Sequence, residues 1–522
     1  MLKKFNMLIL FVLCFLFVGT VSAMPYSEVF KSDKFSNNDS DKIYEVTNAY
    51  KDNGVVDGYI AVGTSSTGKV SNGLVVKYDS DFNIIKSVSY DCNCVFSTII
   101  PSYSKDGIVD GYVVTSNLGE SVLLIKYDLN LEVVSRVSND GSEVALNSVD
   151  YSYDANGNVD GYIYLAEVFS FSTYSVDALV YKYDLDLNLI WKNSIASYYA
   201  DAYSGVVPSY KDGKIDGYIL TGYTFNSSAT EFVQKIDLAG NVVWTKNIVL
   251  KDAKYSVTDL SLAYDGNKPI AIIAVAKTSN ISVDTEYGVV ARISFDGELE
   301  SVKEMTNLVN SGFEQIIPNK NEKGVVNGYI IAGYTDFKSY KEDAKSLLML
   351  EVDNELNVKW SNAAEGFRYY KDVIYSYDKN GILDGLFTIS CPGSGLNEKE
   401  LAIKYQIKKY NIKVNGINGS VSSSLEISKE GETITFESTG NSGYVLDSIK
   451  VVTVSGIEIE VTNNSFVMPN EDVSIEVVYK LVENSETKNP DTYGGLMVVL
   501  LIAFVLSIMN FILLKRNKVS IV

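Results

Sequence analysis

The sequence contains no histidine among its 522 residues. This absence excludes catalytic arrangements that pair serine or cysteine with histidine, metal sites with histidine ligands, and haem bound through histidine. Basic residues are also scarce, with 45 Lys+Arg against 65 Asp+Glu and a formal net charge of −20. Because such a field repels phosphate groups, we expect no nucleic-acid partner.

The remaining composition is that of a folded protein. Hydrophobic residues make up 46% and aromatic residues 12% of the chain, enough to bury large cores. The length predicts two to four domains rather than one core of ordinary size.

The chain begins with the features of a secretory signal. Lys3 and Lys4 form a basic segment, residues 8–18 are apolar, and Val21-Ser22-Ala23 provides small residues for cleavage. We therefore predict a signal peptide over residues 1–23. An uncleaved N-terminal anchor is the alternative.

The chain ends with an apolar segment followed by basic residues. Residues 496–514 carry no charge, and at about 1.5 Å per residue they are long enough to cross a bilayer core. The basic tail, residues 515–522, favours a cytoplasmic end. We therefore expect a single-pass membrane protein whose residues 24–494 lie outside the cell.

A short motif precedes this segment. Pro490 and Thr492, an apolar helix and a basic tail follow in the order that resembles the cell-wall sorting signals of Gram-positive bacteria. The resemblance implies cleavage by a sortase and attachment to peptidoglycan in the cell wall. Asn489 and Tyr493 depart from the L-P-x-T-G pattern, so a plain membrane anchor is the alternative.

An internal repeat of about fifty residues fills most of the chain. Its first phrase is YKDNGVVDGYIAVG at 50–63, with related phrases at 103–116, 153–166, 210–222, 264–278, 321–333 and 377–390. A second phrase follows each copy, as in LVYKYDLDLNLIWKN at 179–193, and Trp191, Trp244 and Trp360 occupy one position of it. Each unit contains four short alternating runs separated by turn residues, which favours strands.

Seven units of four strands predict a seven-bladed β-propeller over residues 24–407. The last unit lacks its fourth run, and residues 27–33 near the mature N-terminus resemble that run, with Phe30 in the tryptophan position. We therefore predict that residues 27–33 pair in the blade of residues 371–407. An open solenoid is the alternative, and it would not need this pairing.

The unit resembles a family of bacterial extracellular propeller repeats with the pattern D-G-G-Y-I-V-x-G followed by L-I-K-x-D-x-x-G-N-x-x-W. One glycine of the pair is missing, since Asp57-Gly58-Tyr59 stands where D-G-G-Y is usual. The resemblance implies a surface-exposed scaffold and carries no assigned catalytic residues.

A second β domain is predicted over residues 408–481. The closing sequence Phe466-Val-Met468-Pro469, followed by Asp472-Val473, resembles the divergent internalin B-repeat of bacterial surface proteins. The resemblance implies a small β module that spaces or presents a larger head. Residues 482–495 show no apolar pattern and are predicted to form a flexible tether. The predicted fold is thus all-β, a propeller with a small C-terminal β domain and one transmembrane helix.

One repeat loop has candidate calcium ligands. Asp154, Asn156, Asn158 and Asp160 lie at alternate positions around a glycine, as oxygen ligands do in EF-hand-like loops. Other copies place lysine where a ligand is needed, and the alternative is a plain hairpin turn. No other cofactor is expected.

The mature cysteines are Cys92, Cys94 and Cys391. The spacing of Cys92 and Cys94 disfavours a disulfide between them, so we predict buried free thiols, with a Cys94–Cys391 bridge as the alternative. Tyrosines such as Tyr59 and Tyr112 are predicted to pack between strands, and others are candidates for a sugar- or protein-binding face.

These features predict a bacterial surface protein of the binding or adhesion class, without catalysis, whose ligand is an extracellular glycan or protein. An extracellular hydrolase or lyase acting on polysaccharide is the first alternative. Its signature would be acidic groups with raised pKa that converge at the channel of the propeller. A structural wall component is the second alternative.

Overall fold

The computed structural model describes residues 24–482 apart from 33–40, 68–69, 118–122, 139–142, 171–174, 196–199, 227, 249–253, 281–284, 306–307, 309–310, 322–323, 337–344, 365–368 and 392–400. The predicted signal peptide, the membrane segment, residues 483–495 of the tether, and Pro490 and Thr492 lie outside the described residues. Within the described part, all regular elements are strands, and no helix has the length and apolarity needed to cross a membrane. The chain divides into two compact units, Met1–Lys408 and Lys409–Val522.

The first unit begins with β1 (Tyr26–Ser32). Three four-stranded antiparallel sheets, blades 1 to 3, follow in chain order. Their strands are β2 (Lys42–Tyr50), β3 (Val56–Thr67), β4 (Val70–Asp79), β5 (Ile84–Tyr90); β6 (Val95–Tyr103), β7 (Val109–Asn117), β8 (Leu123–Asp128), β9 (Val133–Ser138); β10 (Glu143–Tyr153), β11 (Val159–Ser170), β12 (Ser175–Asp184) and β13 (Leu189–Ile195).

Blades 4 to 6 repeat the same arrangement, and blade 7 contributes three strands. Their strands are β14 (Ala200–Lys211), β15 (Lys214–Asn226), β16 (Ser228–Asp237), β17 (Val242–Asn247); β18 (Lys254–Asp265), β19 (Lys268–Asn280), β20 (Thr285–Ser294), β21 (Leu299–Glu304); β22 (Gly312–Lys320), β23 (Val326–Asp336), β24 (Lys345–Val352), β25 (Val358–Ala364); β26 (Tyr369–Tyr377), β27 (Leu383–Cys391) and β28 (Leu401–Ile407).

The N-terminal strand completes blade 7. β1 pairs antiparallel with β28, from Tyr26 opposite Ile407 to Ser32 opposite Ala402. Phe30 lies opposite Lys404, as Trp191 lies opposite Lys182 in blade 3. The first strand of each blade contacts the first strand of the next, and β26 of blade 7 contacts β2 of blade 1. The blades therefore form a closed ring, a seven-bladed β-propeller.

The core lies between adjacent blades. Tyr112, Val113 and Val114 in succession on β7 are fully buried, because a central strand is covered on both faces by the neighbouring blades. One apolar cluster joins Ile60 and Val62 of blade 1 to residues of blade 2. The fourth strands alternate between exposed and partly buried residues, since they form the outer edge of the ring.

The second unit is a small β domain with two sheets. Its strands are β29 (Tyr410–Ile417), β30 (Gly419–Ser423), β31 (Ile427–Ser428), β32 (Thr433–Gly440), β33 (Tyr444–Thr453), β34 (Glu458–Ile459), β35 (Ser465–Val467) and β36 (Val473–Leu481). The five-stranded sheet has the order β31-β29-β36-β33-β34, in which β29 and β36 are parallel, and the three-stranded sheet has the order β30-β32-β35. Phe466, Met468 and Val473 of the predicted closing motif are all buried in one core.

Candidate binding faces and channel

The antiparallel strand order gives the propeller two different faces. The turns between first and second strands and between third and fourth strands lie at one end of every blade, which we call the turn face. The connections between second and third strands and from blade to blade lie at the other end, the open face. Binding sites of folded scaffolds concentrate on connecting segments, so each face is a candidate site.

The turn face repeats one hydrogen-bonded turn. At residues 154–158 the N–H of Asp154 donates to the carbonyl of Asn158 (2.9 Å), and the N–H of Gly157 donates to the carbonyl of Asp154 (3.0 Å). The same two bonds recur at residues 51–55, 104–108, 378–382, 79–83, 128–132, 184–188, 237–241 and 353–357. Most turns of this face are therefore alike, whereas the first turns of blades 4 and 5 have only two residues, 212–213 and 266–267.

The predicted calcium ligands belong to this turn and to the strand after it. The Asp154 carboxylate accepts hydrogen bonds from the backbone N–H groups of Asn156 (2.8 Å) and Asn158 (2.9 Å), and the Asn158 side chain donates to its second oxygen (3.0 Å). These bonds, the Asn158 side chain first, hold the pKa of Asp154 below its ordinary value. The structure thus brings three of the four predicted residues together in one turn.

The fourth, Asp160, lies on β11 and serves a different purpose. Its two oxygens accept hydrogen bonds from the Ser152 hydroxyl (2.6 Å) and the Lys182 ammonium (2.8 Å). Within the described part of the chain, no group of three or more acidic or cysteine residues is arranged to hold a metal ion.

This ion pair is a property of the repeat that sequence reasoning missed. The recurring Asp of the first phrase pairs with the recurring Lys of the second at 2.7–3.0 Å, and each Lys side chain is at least nine-tenths buried. The pairs are Asp110–Lys126, Asp160–Lys182, Asp216–Lys235 and Asp384–Lys404. Lys126 also donates to the carbonyl of Leu185 in the next blade (3.1 Å), so it ties two blades together.

Blade 6 has neither member of the pair, and the sequence shows why. Asn327 replaces the Asp, and the buried Glu351 replaces the Lys. Glu351 instead forms an ion pair with Lys359 and accepts a hydrogen bond from the Trp360 indole (2.6 Å). The joint change of two distant repeat positions is the signal that could have revealed the pairing.

Acidic and amide side chains of the first strands connect neighbouring blades near the channel. Carboxylates accept hydrogen bonds from backbone N–H groups of the following blade, Glu45 from Ile99 (3.1 Å), Asp259 from Ile316 (2.9 Å) and Asp372 from Val46 (3.0 Å). The Asp372 carboxylate also accepts a hydrogen bond from the Gln315 side chain (2.6 Å). These contacts hold the inner ring together.

Two of the inner carboxylates have strongly raised pKa values. Burial raises the pKa of Asp150 to about 6, partly offset by the N–H of Tyr151. The pKa of Asp259 is raised to about 7, chiefly by burial, with a smaller rise from the charges of Asp150 and Asp372 and a partial offset by the N–H groups of Ile316 and Leu260. Three blades therefore place acidic groups close enough to interact.

The open face also contains a buried acidic group. Glu231 lies near the start of β16, and burial raises its pKa to about 8, partly offset by the N–H of Val257. Nearby, the Tyr203 hydroxyl donates to the Gln234 side chain (2.8 Å). A buried carboxyl group with a strongly raised pKa is a candidate functional group.

The cysteine prediction is wrong for two of the three residues. Cys92 and Cys94 form a disulfide, with their Cα atoms 5.1 Å apart. That distance is ordinary for a disulfide, and Asn93 makes it possible by adopting a left-handed conformation with φ 46°. The Cys94–Cys391 alternative is wrong for the same reason. This disulfide lies on the open face, in the connection from blade 1 to blade 2.

The solved structures similar to this chain share little sequence identity with it. The Sqt1 protein of Chaetomium thermophilum, bound to the N-terminus of ribosomal protein L10, is 9% identical, with a TM-score of 0.42, covering 73% of this chain and 100% of that one. The Dos1 propeller is 11% identical, with a TM-score of 0.38 and coverage of 70% and 95%. The WD40 domain of SCAP from fission yeast is 9% identical, with a TM-score of 0.35 and coverage of 74% and 99%. The propeller assignment rests on the strand topology of this chain itself.

Comparison with curated proteins gives no match. A family model does match the second unit, over residues 410–483, and its description is the divergent InlB B-repeat domain. The buried Phe466, Met468 and Val473 are residues of the closing motif that predicted this resemblance. Residues 410–483 therefore form a divergent InlB B-repeat domain.

Proposed function

We propose that this chain is a binding protein of the bacterial cell surface, in which the open face of the propeller recognises an extracellular glycan or protein. The observation that carries the proposal is the contrast between the two faces. Most turns on the turn face are alike, and the exceptions in blades 4 and 5 are two-residue turns. By contrast, the number of residues between the second and third strands ranges from one, between Asn226 and Ser228, to nine, between Cys391 and Leu401.

The greater variation in length at the open face favours ligand recognition there. Turns that only link strands can be alike in every blade, whereas loops that contact a ligand must differ to match its shape. The two largest such separations in sequence, between β23 and β24 and between β27 and β28, belong to the neighbouring blades 6 and 7. We infer that the ligand contacts this sector of the open face.

The remaining parts of the chain are those expected of a protein that holds a binding domain at the cell surface. The divergent InlB B-repeat domain follows the propeller directly, as a spacer would. The N-terminal signal, the apolar segment 496–514 and the motif with Pro490 and Thr492 complete the proposal of a surface anchor, either in the membrane or, after sortase cleavage, on peptidoglycan.

A polysaccharide hydrolase or lyase is a second candidate, and the raised pKa values of Asp150 and Asp259 favour it. A group that remains partly protonated near neutral pH can act as a general acid. Asp259 also accepts two backbone hydrogen bonds, from Leu260 (2.8 Å) and Ile316 (2.9 Å), which is a structural use of the same carboxylate. This second use favours binding over catalysis.

Residues 24–482, purified and screened on glycan and extracellular-protein arrays, provide the test. A variant with residues 338–343 replaced by a Gly-Ser pair should lose the identified ligand. The matched control replaces Lys379 and Asn380 of a turn-face turn by Gly-Ser and should keep it. Equal binding by both variants would place recognition elsewhere. Release of new reducing ends from a bound polysaccharide, abolished by Asp259→Asn, would instead establish the hydrolase.

A further inference from the structure

A β-bulge recurs at one position of the outer strand of every blade, at the end that belongs to the turn face. The outer strand is the fourth strand in blades 1 to 6 and β1 in blade 7. In blade 1 the register shifts between Lys77 and Tyr78, and Ile85 of β5 is left without a partner in the sheet. The other six blades have the same shift, and the unpaired residues of the ring are Val29, Ile85, Val134, Ile190, Val243, Glu300 and Lys359. A bulge at a sheet edge redirects the side chain of its extra residue, so this position is set by the backbone.

The redirected side chains are apolar and exposed in five consecutive blades of the ring. In blades 7, 1, 2, 3 and 4 the unpaired residue is aliphatic and 52–61% exposed. We call these five residues, Val29, Ile85, Val134, Ile190 and Val243, the bulge arc. Blades 5 and 6 have the charged residues Glu300 and Lys359 at this position, so the arc ends there. Single exposed aliphatic residues are ordinary on proteins, whereas five at one structural position of adjoining blades form an extended apolar surface.

The arc is widened and joined by its neighbours. The residue before the bulge is also an exposed aliphatic one in blades 1 to 4, at Ile84, Val133, Leu189 and Val242. Contacts join the outer strand of one blade to the turn that precedes the bulge of the next. They are the stacked rings of Phe30 and Phe82, with centroids 4.1 Å apart, the hydrogen bond from Lys86 to the carbonyl of Asn130 (2.7 Å), and the hydrogen bond from the Trp191 indole to the carbonyl of Leu238 (3.2 Å).

The borders of the arc are acidic. The turns between third and fourth strands of blades 1 to 4 contain Asp and Glu but neither Lys nor Arg. Glu28, Asp81, Glu132 and Asp186 are exposed, and each lies within four residues of a member of the arc. Lys86 forms an ion pair with Glu132 (2.7 Å), an exposed contact that a cation of a partner can replace at little cost.

We propose that the bulge arc is a docking surface for a polypeptide segment that combines aliphatic and cationic side chains. Covering the aliphatic residues is favourable, and the bordering carboxylates select Lys and Arg while repelling an anionic partner or an anionic lipid surface. A second copy of this chain would bring the same carboxylates and a formal charge of −20, which disfavours self-association through the arc. Because a bulge interrupts pairing at the sheet edge, the segment crosses neighbouring blades and does not add a strand to one of them.

Fluorescence anisotropy of residues 24–482 with labelled synthetic peptides tests this inference. The probe is Lys-Leu-Lys-Ser repeated four times. Its matched controls are Glu-Leu-Glu-Ser, which reverses the charge, and Lys-Ser-Lys-Ser, which lacks the leucines, at the same length. We expect saturable binding of the probe, with affinity for each control lower by about tenfold or more. Binding of either control as tight as the probe, or no binding of the probe up to about 1 mM, would overturn the inference.

One pair of variants locates the apolar part of the site. Ile85→Ser/Val134→Ser should weaken binding of the probe by about tenfold or more, because it removes two adjoining aliphatic side chains from the contact. The melting temperature should remain that of the wild type, since substitutions of exposed residues change stability little. The matched control Val454→Ser/Ile457→Ser removes two aliphatic residues of the second unit that are 77% and 59% exposed, and it should change affinity less than twofold. An equal loss in both variants would contradict the assignment.

A second variant tests the charged border. Glu28→Gln/Asp81→Asn removes two carboxylates beside the arc and should weaken binding of the probe. Affinity of the wild type should fall as sodium chloride rises from about 50 to about 300 mM, because salt screens exposed charges, and this fall should be smaller in the variant. Binding that salt and the variant both leave unchanged would overturn the inference that the partner is cationic.

Two further measurements distinguish this site from other uses of the molecule. Sedimentation of the protein alone should show a monomer; a dimer that Ile85→Ser/Val134→Ser dissociates would mean that the arc binds a second copy and would overturn the proposal. The open-face proposal fails separately. Replacement of residues 338–343 should abolish the ligand found by array screening and leave the peptide affinity unchanged, and loss of peptide binding in that loop variant would overturn the arc as its site.

Discussion

The indole of Trp191, on the fourth strand of blade 3, occupies the space that a side chain at Gly240 of blade 4 would fill. A Cβ at Gly240 would lie 2.8 Å from the Trp191 ring. The same relationship joins Trp244 of blade 4 to Gly297 of blade 5, where a Cβ would lie 2.6 Å from the ring. Each glycine is the left-handed residue of its turn, with φ 84° and 78°.

In three other pairs of neighbouring blades the fourth-strand residue is the smaller or more flexible one and the turn residue is the larger one. In these blades the fourth strand has a smaller or flexible side chain at the tryptophan position. The turn between the third and fourth strands of the following blade then has a buried leucine in the left-handed conformation. These pairs are Lys86 with Leu131, Ser135 with Leu187 and Ser301 with Leu356. In these five junctions the volume between blades is filled from one side only, as close packing requires. Between blades 7 and 1 both positions are aromatic, and the rings of Phe30 and Phe82 stack with centroids 4.1 Å apart.

This complementarity predicts the effect of a small substitution. Gly240→Ala should destabilise the propeller by about 2 kcal/mol, because the added methyl group overlaps the Trp191 ring and the left-handed backbone disfavours a side chain. Chemical denaturation of the wild type and the variant measures this difference. A variant as stable as the wild type would show that the indole can move aside at no cost.

A double variant tests the exchange itself. Trp191→Ser/Gly240→Leu reproduces the pair found as Ser135 with Leu187, so we expect it to be more stable than the sum of its single variants by about 1 kcal/mol or more. Strictly additive effects would mean that the two positions do not share one volume.

The buried ion pairs predict an asymmetric cost. Asp160→Ala leaves the ammonium of Lys182, whose side chain is 9% exposed, without its counter-charge. We expect a loss of about 2–3 kcal/mol, at the low end for a buried pair because the Asp160 side chain keeps 35% exposure. Asp186→Ala breaks the exposed pair with Lys105, whose atoms are 3.7 Å apart, and should cost less than about 1 kcal/mol. Equal losses in denaturation experiments would contradict a structural role for the repeated pair.

The repeat period and the strand alternation of the sequence predicted the blades of the propeller. The roles of individual residues within the repeat were harder to predict. Four alternating runs per repeat and the missing last run led to the blades and to the role of residues 27–33, because strand alternation and repeat period are encoded locally. Asp160 was expected in one loop with the other candidate calcium ligands, but Asp160 and Gly161 lie in the second strand of blade 3, β11. A Cβ at Gly161 would lie 1.9 Å from the backbone oxygen of Tyr183, so this glycine permits close strand approach instead.

The candidate site was less predictable because it depends on closure. The acidic groups Asp150, Asp259 and Asp372 belong to three different blades, and only the ring brings them close enough to interact. The Cys92–Cys94 disulfide was missed because it depends on the left-handed conformation of Asn93, which spacing alone does not reveal.

Measurements of melting temperature can show whether the predicted site at residues 154–160 binds calcium. The Asp154 carboxylate is already used by its own turn, and Asp160 is paired with Lys182, so we expect no shift on adding millimolar calcium. Asp154→Ala should lower the melting temperature slightly near neutral pH with or without calcium. Because the folded pKa of Asp154 is depressed, its contribution is present above its ordinary value and is lost as the pH falls through the folded value. A calcium-dependent rise that Asp154→Ala abolishes would establish the metal site.

The inner carboxyl groups Asp150 and Asp259 should affect stability in the opposite sense to Asp154. Their stabilising contribution is lost as the pH rises. Burial raises the pKa of Asp259 to about 7 and that of Asp150 to about 6, so the folded state holds these protons more tightly than the unfolded chain does. Their contribution to stability is complete below about pH 4 and is lost progressively until about pH 7. The melting temperature should therefore fall between pH 5 and 7, and the fall should be smaller in Asp259→Asn, which cannot ionise. Asp186→Asn, on an exposed turn, serves as the control and should keep the wild-type slope. An unchanged slope in Asp259→Asn would mean that this carboxyl group does not titrate in the folded protein over that range.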